Sequence, residues 1–274
     1  MPISPTQPAA PAPSATAARE APQSALGRGL RVLQCFSTAE PDLSARDLMA
    51  RTGLPKPTLF RLMTTLRELG LLRYSERRGK FTLGPGVLAL AAPMLSGLTI
   101  RHLARPLMQE LANHVQGQVS IALGEGGRLF YVELVQGVGS TVFRPEVGTS
   151  ASLTRSASGR AYLSTLAAAP REALVHQLTE DDPTRHATLM AKLDETAQDL
   201  ARDGYCRNQG ELHRDVLGVA VPARTPAMDE QLFVFGCTVP AFHLTQQPAL
   251  LSDLGMRLVG LVHHVETAMG TARA

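Results

Sequence analysis

Two clusters of residues have the types and spacing to do chemistry. In PKPTLFRLMTTLRELG, the residues Lys56, Thr58, Arg61 and Thr64 fall on one side of a helix, with Pro57 in the first turn and Phe60 clear of the leucines. A guanidinium can fork onto guanine and an apolar group can touch the thymine methyl, so this set suits a DNA major groove. Arg77, Arg78 and Lys80 crowd around Gly79 a few residues on, where they suit contact with phosphates. The second cluster is Ser156-Ala157-Ser158-Gly159. At a helix start beside so small a residue as Gly159, the N–H groups of Ala157 and Ser158 offer an anion site. Equally, Ser156 or Ser158 is an ordinary N-cap.

Other chemistry has no support in the residue spacing. The eight histidines show no zinc-helix spacing, and His263 and His264 point to different sides of a helix, so no metal is expected. Ser156 to Gly159 lacks the flanking glycines of a nucleophile elbow, and Gly124 to Gly127 lacks the Lys and Ser/Thr of a phosphate loop. Arg207 can lower the pKa of Cys206, but no His or Asn partner is identifiable. No catalytic residue and no cofactor is therefore expected. Three widely spaced cysteines, Cys35, Cys206 and Cys237, suggest buried free thiols rather than a disulfide framework. With neither a signal-like N-terminus nor an apolar run of bilayer length, a cytoplasmic location without a membrane partner is expected.

The DNA-facing cluster needs elements to hold it. Ser44 and Asp47 form a capping box, Leu43 and Leu48 a staple, Gly53 a left-handed stop, and Leu54-Pro55 a restart, which together give helix-turn-helix spacing. Leu59, Leu62, Leu66 and Leu69 supply the inward stripe of the second helix, and Leu26, Leu30, Leu33 and Phe36 that of a preceding one, with Arg28 and Arg31 outside. Tyr74 to Leu83 reads as a basic hairpin. The helix pair alone would equally describe a solvated helical hairpin. Charge tips the balance: Ser24 to Gly86 holds 11 Lys/Arg against 5 Asp/Glu, whereas Val87 to Ala274 holds 15 against 18. A basic front end on a slightly acidic remainder fits nucleic-acid binding at that end.

The chain of 274 residues divides into a Pro- and Ala-rich disordered tail (1–23), a basic domain (24–85), an apolar connecting helix (86–98) interrupted by Pro93, and a larger domain (99–274). The larger domain opens with a helix over Thr99 to Val115, with Ile100, Leu103, Leu107 and Leu111 inward and a late start or kink at Pro106. A hairpin over Val119 to Leu134 follows, with a further strand at Thr141 to Arg144. Helices are expected over Ser156 to Leu166, Pro170 to Leu178 and Thr188 to Arg202, the last with Leu189, Leu193, Ala197 and Leu200 inward. Strands around Tyr205 to Asn208, Val216 to Ala223 and Leu232 to Val239 precede a closing helix over Pro248 to Met269. That mixture is α+β.

The segments ARDLMARTGLPKPTLFRLMTTLRELGLL, GKFTLGPGVLAL, RHLARPLMQELANHVQGQVSIAL, TRSASGRAYLSTL and DGYCRNQGELHRDVLGVAVPAR together resemble the IclR family of bacterial transcription regulators, over Leu26 to about Met269. The resemblance implies a winged helix-turn-helix domain, a linker helix and a GAF-like α/β effector-binding domain, acting as a homodimer or dimer of dimers on double-stranded operator DNA. It further implies a small organic acid effector held at Ser156, Ala157, Ser158, Gly159, Asn208, Gly218, Gly236 and Thr238. Gly218 and Gly236 stand where the family often has a side chain, so the cavity is expected to be enlarged, admitting an aromatic or branched acid; alternatively both mark a bulge or close backbone approach. Thr154 replaces a common His, and Asn208 a common Asp. The neighbouring Arg155 either faces a carboxylate or pairs with Glu146. Pro57 replaces a common Ser and removes one hydroxyl contact. The rival expectation is an enzyme or ligand-binding module whose front helices meet proteins.

Overall fold

A computed structural model describes residues 24–142, 145–180, 182–225, 231–243 and 249–270, and the chain separates into two units, Met1–Gly97 and Leu98–Ala274. The expected N-terminal tail and part of the Thr141 to Arg144 strand lie outside these residues; Thr141 and Val142 themselves are not in a strand.

In the first unit α1 (Ala25–Gln34), α2 (Ala45–Thr52) and α3 (Lys56–Glu68) precede the hairpin of β1 (Leu72–Ser75) and β2 (Lys80–Leu83), then α4 (Gly86–Gly97). The capping box forms as expected: Ser44 Oγ accepts from Asp47 N at 3.2 Å and Ser44 N donates to Asp47 at 2.9 Å. Leu43 and Leu48 are both buried, and Gly53 ends α2 at φ 65°. Pro55 is the N-cap of α3, and it is Pro57 that occupies the first turn. The inward stripe of α3 is Leu59, Met63 and Leu66; Leu62 is half-buried and Leu69 is exposed, because Leu69 follows the last turn. On α1 half of the expected stripe holds: Leu33 and Phe36 are half-buried against the core, but Leu26 and Leu30 are not. Gly27, Gly29 and Val32 face inward, and Arg28 and Arg31 are half-buried, while Leu26 and Leu30 are 73% and 48% exposed. A core of Val32, Leu43, Leu48, Leu59, Met63, Leu66, Leu72 and Phe81 joins the three helices to the hairpin. Nothing in α4 is buried.

In the second unit five antiparallel strands lie in the order β4-β3-β7-β6-β5: β3 (Gln118–Glu125), β4 (Arg128–Gln136), β5 (Cys206–Asn208), β6 (Val216–Thr225) and β7 (Gln231–Pro240). One face packs on α5 (Thr99–Val115) and α9 (Leu250–Ala268), the other on α6 (Ala157–Thr165) with α7 (Ala168–Thr179) and α8 (Pro183–Asp203) beyond it. Helix α5 runs unbroken through Pro106 and buries Ile100, Ala104, Met108 and Leu111, leaving Leu103 exposed and Leu107 half-buried. From its first turns Arg101 and Arg105 reach the buried Glu133 at 3.2 and 2.7 Å, pairing a carboxylate that could not be left alone there. Helix α8 starts earlier than expected because Asp182 caps it ahead of Pro183, and Thr196 rather than Ala197 turns inward; Gly204 stops it at φ 77°. Every sheet strand carries alternate residues to the two helical layers, so both faces are covered.

Candidate nucleic-acid interface and effector site

On the solvent side of α3, Lys56, Pro57, Phe60, Arg61 and Thr64 are exposed, with Thr58 half-buried at one flank. Lys56 Nζ sits 5.8 Å from the Phe60 ring centroid, one helical turn away, which holds the cation against the apolar ring. Thr64 spends its hydroxyl on the Phe60 carbonyl at 3.1 Å, leaving its methyl outward. Arg61 makes no ion pair or hydrogen bond from its side chain among the described residues. The first turn of α3 has no acidic residue and its N-cap is a proline, so the N–H groups of Lys56 and Thr58 face outward without a side-chain cap.

In the hairpin the basic turn spans Glu76 to Gly79, with Gly79 at φ 62°. Its three cations differ. Arg77 is exposed and unpaired among the described residues, Lys80 starts β2 half-buried, and Arg78 is held by Asp42 at 2.6 Å. Two of the three expected phosphate contacts are thus unencumbered, and the third competes with a carboxylate.

The second cluster assembles on the α6 face of the sheet. Register aligns two neighbouring cross-strand rows there: Gln136, Gln118, Thr238, Gly218 and Asn208, then Leu134, Ser120, Gly236, Ala220 and Cys206. The N-terminus of α6 is seated on the second row. Cys206 Sγ donates to the Ala157 carbonyl at 3.4 Å, and a Cβ on Gly236 would stand 2.7 Å from Ser158 Oγ and 3.0 Å from Ser120 Oγ. Burial pushes the Cys206 thiol up to about 12, so it is no nucleophile.

At the helix start Ser156 is the N-cap, its Oγ accepting from Gly159 N at 2.9 Å, while Arg160 N donates to the Ser156 carbonyl at 3.1 Å. The N–H groups of Ala157 and Ser158 are left with no partner among the described residues. Gly159 is required for a different reason: any Cβ would overlap the Ser152 carbonyl and Leu153 backbone.

All eight expected effector residues therefore meet at one place, but two expectations need correcting. Gly236 does not enlarge a cavity, because Ser158 occupies the space its side chain would fill; it is the close-approach alternative that holds. Gly218 is crowded too, though less: a Cβ there would meet the Cys237 carbonyl at 3.3 Å and Thr238 Oγ1 at 3.5 Å. Arg155 does not pair with Glu146; its guanidinium donates to the carbonyls of Glu211 and Leu212. Asn208, in turn, donates to the Arg155 carbonyl and accepts from Gly210 N at 3.2 Å, so its amide braces the loops on either side. Sequence reasoning passed over Gln118, which lies between Gln136 and Thr238 in the first row. Its only signal is parity, two residues before Ser120, and that means nothing until strand register is known.

Comparison with known proteins places this architecture. The family model described as IclR helix-turn-helix domain matches residues 25–76, and the model of the bacterial transcriptional regulator IclR C-terminal matches residues 92–234. The chain belongs to the IclR family of transcriptional regulators. It is 31% identical over 254 residues to the HTH-type transcriptional regulator TsaQ1/TsaQ2 of Comamonas testosteroni, covering 90% of this chain and 89% of that one. An IclR family regulator from Brucella abortus superposes with a TM-score of 0.77 at 38% identity, over 89% of this chain and 91% of that one. An IclR homologue from Microbacterium hydrocarbonoxydans, crystallised with 4-hydroxybenzoate, has the same fold with a TM-score of 0.73 at 21% identity, over 91% and 100% of the two chains. As an IclR regulator, the protein binds DNA through its helix-turn-helix domain and carries a C-terminal effector domain; family members are regulators, not enzymes. No single helix among the described residues is long and apolar enough to cross a membrane.

Proposed function

We propose that this regulator binds a roughly palindromic operator as a homodimer, or as a dimer of dimers, and responds to a small carboxylate, with aromatic acids among the candidates. In this reading Lys56, Pro57, Thr58, Phe60, Arg61 and Thr64 enter the major groove, while Arg77, Arg78 and Lys80 lie along phosphates. The observation that carries it is the outer face of α3, where Arg61 stands exposed with no partner of its own among the described residues. Dimerisation is supported by apolar surface that one chain leaves uncovered: Leu26 and Leu30 on α1, Leu88, Leu90 and Met94 on α4.

The acid would be held by the Ala157 and Ser158 N–H groups at the positive end of α6, over a floor of Gly218 and Thr238. Ser156 and Gly159 set that helix start, Gly236 lets it approach the sheet, and Asn208 ties down the adjoining loops. The 4-hydroxybenzoate of the Microbacterium homologue supplies a first probe of this chemical class. Control of a neighbouring catabolic gene cluster in the cytoplasm completes the reading.

Anisotropy titration of the full chain on the DNA upstream of its own gene, at about 150 mM salt, tests it, with light scattering for the assembly. Tight binding to that fragment by a two- or four-chain particle is expected. A chain that binds no duplex in a salt-dependent way would overturn the proposal.

A further inference from the structure

In the first of the two rows one buried polar side chain has an oxygen with no partner among the described residues. Gln118 is 4% exposed, its Oε1 is closed off from solvent, and its amide makes no hydrogen bond among the described residues. Leaving such a group unpaired is costly, and native proteins rarely do so without cause. Its neighbours in the row are accounted for: Gln136 Nε2 donates to the Val142 carbonyl at 2.8 Å, and Asn208 bonds to the Arg155 carbonyl and Gly210 N. Between those two braced ends lie Gln118, Thr238 and Gly218.

We propose that Gln118 determines effector specificity by pairing with a hydroxyl at the end of the molecule remote from its carboxylate. This rests on the acid site at the Ala157 and Ser158 N–H groups. Ser158 sits over Gly236, which pairs with Ser120, and Gln118 is two residues along the same strand face from Ser120. Two residues of strand span about 7 Å. The effector class is therefore a carboxylate whose hydroxyl lies about that far away, a para-hydroxylated ring or an extended five-carbon hydroxy acid. A hydroxyl both donates to Oε1 and accepts from Nε2, matching the two idle functions of the amide.

Calorimetry on the full chain with two probe pairs, 4-hydroxybenzoate against benzoate and 5-hydroxypentanoate against pentanoate, tests this in the wild type and in Gln118→Leu. The wild type is expected to prefer the hydroxylated member of at least one pair by roughly tenfold to a hundredfold, and Gln118→Leu to abolish that preference while binding the plain acid as before. Melting of the empty protein gives a second readout that a merely structural glutamine would move the other way: Gln118→Leu is expected to melt no lower than the wild type, since an idle buried amide gives way to an apolar group of similar shape. Equal affinity for both members of each pair, or a hydroxyl preference that survives in Gln118→Leu, would overturn the role of Gln118 and leave the acid site standing. A lower melting point with unchanged selectivity would do the same. No binding of any of the four acids would remove the acid site itself, and the role of Gln118 with it; operator binding, measured separately, would be untouched.

Discussion

Replacing Arg61 by Ala and Arg77 by Ala should separate reading DNA from holding it. Arg61 lies on the outermost face of α3 and Arg77 at the tip of the hairpin, both exposed and unpaired among the described residues, so neither change disturbs packing. A guanidinium forked onto a base edge is worth about 1–3 kcal/mol of discrimination, or roughly 5- to 150-fold per half-site. Arg61→Ala is therefore expected to weaken operator binding by at least that factor and to leave random DNA nearly unaffected. Arg77→Ala leaves one phosphate per chain without its cation, and the logarithmic salt slope changes by about 0.9 for each phosphate no longer neutralised. A dimer should thus flatten by about 1.8 on operator and random sequence alike. Arg78 offers an internal control. Its ion pair with Asp42 at 2.6 Å must be given up before it can hold a phosphate, so Arg78→Ala should flatten the slope less than Arg77→Ala, and Asp42→Asn should steepen it. Anisotropy titrations at salt from about 50 to 200 mM measure all four. Equal losses on operator and random DNA for Arg61→Ala, or a loss confined to the operator for Arg77→Ala, would refute this division.

Four further outcomes follow from local geometry. Gly159→Ala drives a methyl into the Ser152 carbonyl and should cost about 1–3 kcal/mol, lowering Tm by about 3–10 °C; an unchanged melt would contradict the close approach of α6. Gly218→Ala sets a methyl 3.3 Å from the Cys237 carbonyl, a milder crowding than at Gly159, and should lower Tm by less than Gly159→Ala does; an equal or larger drop would contradict that difference. Cys206 and Cys237, whose thiols burial pushes up to about 12, should resist iodoacetamide at about pH 8 in the native protein and react on unfolding; ready native labelling would disprove their burial. Hydrogen bonds from Arg202 and Arg207 hold the Asp203 carboxyl down at about 2, so its contribution to stability is whole above the ordinary carboxylate range and fades as pH falls toward 2; Asp203→Asn should remove that part of the acid sensitivity, and an identical pH–Tm profile would count against it.

The parts legible from sequence were those decided locally. Ser44, Asp47 and Gly53 announce a helix and its end within ten residues, because capping and left-handed stops depend only on near neighbours. The stripe on α1 misled in part because apolar spacing states which residues avoid water, not which partner covers them: Gly27, Gly29 and Val32 face inward, while Leu26 and Leu30 stay exposed. At the second site, a glycine in a strand is equally consistent with open space and with close packing, and only the positions of Ser158 and the Cys237 carbonyl show that Gly236 and Gly218 are both crowded, Gly236 more so. Gln118 was invisible for a related reason. A polar residue at the head of a strand looks like an edge until β3 is found in the interior of the sheet, paired on both sides.

The groups left unpaired at that site also bound what an effector can achieve. A ligand shifts a conformational equilibrium only by the difference in its affinity for the two states. Two idle N–H groups and one idle amide are what the site can offer a carboxylate and a hydroxyl. Pairing each is worth roughly 1–3 kcal/mol relative to leaving it buried and alone. If every one of them is satisfied in one arrangement of the proposed dimer and broken in the other, the coupling amounts to several kcal/mol; if only the hydroxyl contact distinguishes them, it falls to the ordinary range of about 1–3 kcal/mol, a 5- to 150-fold change in operator affinity. The size of the DNA response to a hydroxylated acid against its plain counterpart therefore reports which of these contacts the two arrangements treat differently.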